Sequence, residues 1–281
     1  MQSLNKLDHP TIRSLLLQPP SDHSGSRPAN AEDLRLTISK DVHLSCRFYL
    51  SAPAAPTLIY FHGGNESSAS FDAEAAYFNQ VGINIFLTSL RGFGKSTGIP
   101  SLSDMTTDAE IQFIQALQWL TATGYSGAIL VMGRSLGSVC AIDVAHTHPD
   151  KIKALILESA VCETLPLLTA LEADKVTTLI SEEEGFNNLQ KIAEIKTPTL
   201  IFHGSRDVLV PISQAEKLQA ISGAKNKQFL IIPGAEHHTV SKTGGSLYFT
   251  TIKDFVDKVC GVNTWRQRRR EFKTDQDRGT T

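Results

Sequence analysis

The chain has 281 residues, enough for one α/β domain with a small elaboration and a full core. Its 41% hydrophobic and 20% charged content is ordinary for a soluble globular protein, and a formal net charge of −2 argues against a dedicated nucleic-acid binder. The apolar run Leu15-Leu16-Leu17 stops at Gln18-Pro19-Pro20, and no basic segment leads into a long apolar one. Neither a transmembrane segment nor a secretory signal is expected.

Residues 1–30, with Pro, Ser, Asp and Gly gathered between Pro19 and Asn30, are expected to be a flexible leader. Leu34 to Ile38 and Leu44 to Leu50 alternate, as antiparallel edge strands do. Six near-continuous apolar runs follow: Thr57 to Phe61, Ile83 to Thr88, Ala128 to Met132, Ala154 to Leu157, Pro198 to Phe202 and Gln228 to Ile232. Such runs suit parallel strands covered on both faces. Helical spacing marks Asp108 to Trp119, Val139 to Ala145, Gln214 to Ile221 and Leu247 to Val259. Alternating strands and helices predict a doubly wound, mostly parallel α/β sheet with right-handed crossovers over residues 31–260. The interval from Glu158 to Pro198 is too long for a simple crossover, so a small helical cap is placed at about 161–197. Its Leu165, Leu167, Leu168 and Leu171 either shape an acyl pocket or pack inward. Residues 261–281 are expected to form a basic tail, with Trp265-Arg266-Gln267-Arg268-Arg269-Arg270 read as solvated, or else as touching an acidic partner or lipid headgroups.

The chemistry concentrates in Gly133-Arg134-Ser135-Leu136-Gly137, where a buried strand runs through G-x-S-x-G into a helix. That is the setting of a nucleophile elbow, with Ser135 as nucleophile and the Leu136 N–H turned toward a developing oxyanion. A second donor is expected in the loop Tyr60-Phe61-His62-Gly63-Gly64-Asn65; Gly64 is preferred and Asn65 is the alternative. A serine hydroxyl needs a base, and in this topology the acid and then the histidine follow the nucleophile in chain order. Asp207 ends Phe202-His203-Gly204-Ser205-Arg206-Asp207 and is the expected acid, with Glu158 as a rival at the end of another strand. His237 in Pro233-Gly234-Ala235-Glu236-His237-His238 is the expected base, with His238 as its competitor.

Together with Leu90-Arg91-Gly92-Phe93-Gly94-Lys95-Ser96-Thr97-Gly98, these segments resemble, in the same order, the compact one-domain α/β-hydrolases related to serine aminopeptidases, monoacylglycerol lipases and acyl-protein depalmitoylases. The resemblance spans roughly Leu34 to Val259. It implies the α/β-hydrolase fold, triad roles for Ser135, Asp207 and His237, and an oxyanion loop at Gly64. The chain departs from it at Gly63-Gly64-Asn65, where relatives often carry one Gly before Asn. It departs again at His238, where relatives commonly carry Asn.

The expected activity is hydrolysis of a carboxylic ester or thioester, with amide or peptide cleavage as the alternative. Gly94-Lys95-Ser96 is similar to the end of a phosphate-binding loop, but Ser89 stands where G-x-x-x-x-G-K-[ST] requires Gly, which makes a nucleotide-binding hydrolase a distant second class. Every proposed triad position is chemically competent, which gives no support to a degenerate fold kept only for binding. No cofactor and no metal are expected; the pairs His146/His148 and His237/His238 lack a set of further ligands. Cys46, Cys140, Cys162 and Cys260 are scattered and read as reduced thiols in a cytoplasmic protein. The expected partner is a small-molecule or acyl-chain substrate, with no nucleic acid; the oligomeric state is not legible.

Overall fold

The structure is a computed structural model and describes residues 6–20, 27–171, 177–178, 180 and 181–262. The basic tail beyond 262 and part of the expected cap, at 172–176 and 179, lie outside the described residues.

Among the described residues, eight strands form one sheet in the order β1-β2-β4-β3-β5-β6-β7-β8. They are β1 Ala31–Thr37, β2 His43–Tyr49, β3 Thr57–Phe61, β4 Asn84–Leu87, β5 Ile129–Arg134, β6 Ala154–Glu158, β7 Thr199–Gly204 and β8 Lys227–Ile232. β2 runs antiparallel to both β1 and β4, as the alternating segments suggested, and β4 through β8 pair in parallel. Each expected strand is present, with its ends shifted by a few residues.

The helices form two layers because successive side chains on a strand face opposite ways. Leu58 and Tyr60 of β3 join a core with Phe71, Ala75 and Phe78 of α2 (Ser68–Gln80) and Tyr248 and Ile252 of α8 (Val240–Val259). Ile59 and Phe61 join the larger core on the other face. There they meet α3 (Met105–Ala122), α4 (Gly137–Thr147), α6 (Asn188–Glu194) and α7 (Ile212–Ile221). Helix α8 is broken at Gly245, at φ +50° and ψ −131°, just before the segment whose spacing predicted it.

One expectation needs revision. The leader contains a packed element: α1 (Pro10–Leu16) buries Ile12 and Leu16 in the larger core, and Leu7 and Leu17 flank it there. The cap contains α5 (Thr164–Ala170), whose Leu168 packs inward at 0% exposure while Leu167 also reaches a cavity at Ser135. The loop at Gly94-Lys95-Ser96 does not open a helix. The next helix, α3, begins at Met105, and the Ser96 hydroxyl is held by Ser45 N–H at 2.9 Å and Ser89 Oγ at 2.9 Å.

Candidate active site

The residues singled out by the motifs gather at the carboxyl ends of parallel strands, where open α/β sheets place their ligands. β3 delivers the His62-Gly63-Gly64 loop, β5 delivers Ser135, β7 leads to Asp207 and β8 to His237. Ser135 occupies the left-handed region at φ +52°, an uncommon backbone state for a residue with a side chain. Neighbours hold it there: its N–H donates to Glu158 C=O at 2.9 Å. Its own carbonyl accepts the Ser138 N–H at 2.9 Å and the Ser138 hydroxyl at 2.6 Å. The turn is so close to β3 that a Cβ on Gly137 would collide with the Phe61 carbonyl.

Ser135 Oγ lies 2.7 Å from His237 Nε2, and His237 Nδ1 lies 2.8 Å from Asp207 Oδ2. An ionised carboxylate only accepts, so the neutral ring carries its proton on Nδ1 and presents Nε2 as acceptor to the Ser135 hydroxyl. The other Asp207 oxygen accepts Val210 N–H at 2.8 Å and Leu209 N–H at 3.1 Å. Burial opposes charge on Asp207, but the His237 and Val210 hydrogen bonds outweigh it and hold the carboxyl below the usual range.

His238 does not join this chain of bonds. Its ring sits edge-on to His237 with centroids 4.6 Å apart, and it lines the cavity. Burial and the neighbouring His237 keep its pKa below the ordinary histidine value. Glu158, the rival acid, bonds elsewhere: its carboxylate meets Arg134 Nε at 2.9 Å and the Tyr248 hydroxyl.

The two expected oxyanion donors flank Ser135. The N–H groups of Leu136 and Gly64 have no protein acceptor among the described residues. In the trans peptide joining Gly63 to Gly64, the Gly64 N–H points opposite to the Gly63 carbonyl. That carbonyl accepts His62 Nδ1–H at 2.7 Å, and burial keeps the His62 ring neutral and able to play this part. Gly64 is required for a reason the sequence did not reveal. A Cβ there would strike the carbonyl oxygen of Leu16 at the end of α1.

Sequence reasoning missed the supports around these groups. Arg134, the second residue of the elbow motif, is 6% exposed and bonds Glu66 at 2.7 Å, Glu158 and Glu74. Its guanidinium also lies 5.5 Å from the centre of the Tyr60 ring. Ser159, at φ +46° after β6, donates from Oγ to the His237 carbonyl at 3.3 Å. His203, in the motif leading to Asp207, donates from Nε2 to the Val210 carbonyl at 2.8 Å, steadying the turn that binds Asp207. His146 and His148 lie elsewhere, each against one carboxylate, Glu194 at 2.8 Å and Glu110 at 2.5 Å.

A cavity of about 170 Å³ opens at Ser135. Leu15 and Leu16 of α1, Leu167 of α5, and Leu171 and Leu209 give it an apolar wall. No carboxylate lines it among the described residues. Nor is any described helix long and apolar enough to cross a membrane.

The sequence matches the family described as serine aminopeptidase, S33, over residues 52–182 and 183–243. It is 29% identical over 247 residues to the alpha/beta hydrolase domain-containing protein WAV2 of Arabidopsis thaliana, covering 82% of this chain and 79% of that one. To protein bem46 of Schizosaccharomyces pombe it is 29% identical over 213 residues, 73% of this chain and 69% of that one. Among solved structures, the esterase Pf2001 of Pyrococcus furiosus superposes with a TM-score of 0.68 at 17% identity, over 86% of this chain and 99% of that one. A soluble variant of the Saccharomyces cerevisiae monoglyceride lipase gives 0.63 at 16% identity, over 87% of this chain and 99% of that one. At such identities the likeness of structures speaks for the fold, whereas the family match covers most of the sequence. The chain belongs to the serine aminopeptidase S33 family and is an α/β-hydrolase.

Proposed function

We propose that this hydrolase cleaves a carboxylic ester or thioester through an acyl-Ser135 intermediate. The observation that carries the reading is the continuous path Ser135–His237–Asp207, with 2.7 Å and 2.8 Å steps. In this reading His237 Nε2 takes the Ser135 proton as Oγ attacks the acyl carbon. The imidazolium so formed is stabilised by Asp207. The N–H groups of Leu136 and Gly64 hold the tetrahedral oxyanion. His237 then gives its proton to the departing alkoxide or thiolate. In the second half, His237 takes a proton from water, hydroxide attacks the acyl-enzyme, and the proton returns to Ser135 Oγ. Gly64 is favoured over Asn65 as donor because its peptide is the one fixed by His62 through the Gly63 carbonyl.

The family's description names an aminopeptidase, and an aminopeptidase must pair with a substrate ammonium. The leucines that line the cavity beside Ser135 favour an uncharged acyl group instead. Labelling with a fluorophosphonate probe tests the reading. The native chain should label and Ser135→Ala should not; equal labelling of both would refute it. Turnover of p-nitrophenyl esters but not of aminoacyl anilides should accompany the labelling.

A further inference from the structure

The segment before the first strand is built into the site, not appended to it. Asp8 accepts Leu102 N–H at 2.7 Å, Ser103 N–H at 3.2 Å, Ser101 Oγ–H at 3.0 Å and the Ser103 hydroxyl, which moors the segment to the loop before α3. Leu7, just before this mooring, and Ile12, Leu16 and Leu17 after it are buried in the core. At the far end Gln18 N–H donates to Gly64 C=O at 2.7 Å, and the Leu16 carbonyl fills the space beside the Gly64 Cα. Residues 6–18 therefore strap across the mouth of the oxyanion loop. Leu15, only partly buried, lines the cavity at Ser135 together with Leu167, Leu171 and Leu209.

We propose that this N-terminal strap is the specificity wall of the acyl site, and that Leu15 limits the enzyme to short acyl groups. The inference rests on the acyl-Ser135 reading. By volume alone, about 150 Å³ is the space of a benzene-sized group of six carbons. The cavity of about 170 Å³ therefore takes an acyl chain of similar size. A longer chain meets Leu15 and Leu16, and these cannot retreat because the strap is tied down at both ends. Leu15 is only partly buried against the edge of the core, so its side chain can be changed at less cost to the core than that of Leu16.

The test is a p-nitrophenyl ester series from acetate to palmitate on the full chain, with Leu15→Ala and Leu15→Trp beside the native protein. The native kcat/KM should peak between butanoate and hexanoate and fall at least tenfold by dodecanoate. Leu15→Ala should move the peak two or more carbons longer, and Leu15→Trp should move it toward acetate. Fluorophosphonate labelling of Ser135 in each variant shows that the site is intact. A native profile that rises to palmitate, or one profile shared by all three labelled proteins, overturns the proposal while leaving the hydrolase reading standing. If the native protein neither labels nor turns over any ester, the hydrolase reading fails and this proposal falls with it.

Discussion

Glu66 joins the His62-Gly63-Gly64 loop to the turn that carries Ser135: one carboxylate oxygen accepts Gly63 N–H at 2.7 Å and the other bonds Arg134 Nη1 at 2.7 Å. Burial alone would raise its pKa, yet the Arg134 charge and the Gly63 N–H bring it down to about 2, so Glu66 stays ionised. Glu66→Ala releases the peptide next to the proposed Gly64 donor without deleting that donor. The expected loss in kcat is about tenfold to a hundredfold, below the ~10²–10³ of removing a donor outright. KM should change little, because the loop acts on the transition state. Glu66→Gln keeps an acceptor for Gly63 and should recover part of the rate. An alanine variant with native kcat would show that the loop holds itself.

The two histidines of the last loop should separate sharply. His237 alone reaches both Ser135 and Asp207, whereas His238 stands beside it on the cavity rim. By analogy with other serine hydrolases, His237→Ala should cost about 10⁶-fold in kcat. His238→Ala should cost less than about tenfold, mostly in KM, since it removes only a wall of the cavity. A larger kinetic loss at His238 would reverse the assignment.

The buried strands and the order of the motifs were legible because each rests on a local signal: period, glycine spacing or a turn. What escaped was of two kinds. Helix α2 does carry a local signal, since Phe71, Ala75 and Phe78 repeat at helical spacing behind a Ser67–Ser70 capping box. Helix α1 has only 7 residues, too few to show a period beside its proline-rich neighbour. The choice between Asp207 and Glu158 was not local either. Asp207 follows a parallel strand and Glu158 ends one, and the difference lies in distant partners: Arg134 and Tyr248 engage the Glu158 carboxylate, whereas Asp207 bonds His237. Gly64 reads from sequence as a position needing a small residue, but the approaching group is the Leu16 carbonyl, forty-eight positions earlier by number (64 − 16).

Gly137 should tolerate no side chain. Its Cα lies where α4 crosses the end of β3, and an added Cβ would collide with both the Phe61 and His62 carbonyls, which cannot yield as a flexible side chain would. Gly137→Ala should destabilise by about 3 kcal/mol, the upper end of ordinary overpacking. It should also lower kcat by displacing the Leu136 N–H. Chemical denaturation together with ester turnover checks both; native stability in the variant would mean that the elbow and β3 have room to move apart.

Acid should destabilise the fold in two stages. Burial, the leading cause in each case, lowers the pKa of His62, His203 and His238 in the folded protein. The unfolded chain protonates its histidines near about pH 6.5, before the folded one does. Below that pH the unfolded state therefore binds more protons, and stability falls as pH drops through about 6.5 toward the lower folded values. Glu66 adds the second stage. Its folded value of about 2 lies below the ordinary carboxylate value, so its contribution is present above about pH 4.3 and is lost as pH falls from there through about 2. Urea midpoints from pH 8 to pH 4 should decline first across the histidine range. His203→Gln, which keeps a donor for the Val210 carbonyl but cannot titrate, should flatten that decline. Midpoints that stay level between pH 7 and pH 5 would mean that these rings protonate in the folded state as readily as in the unfolded one.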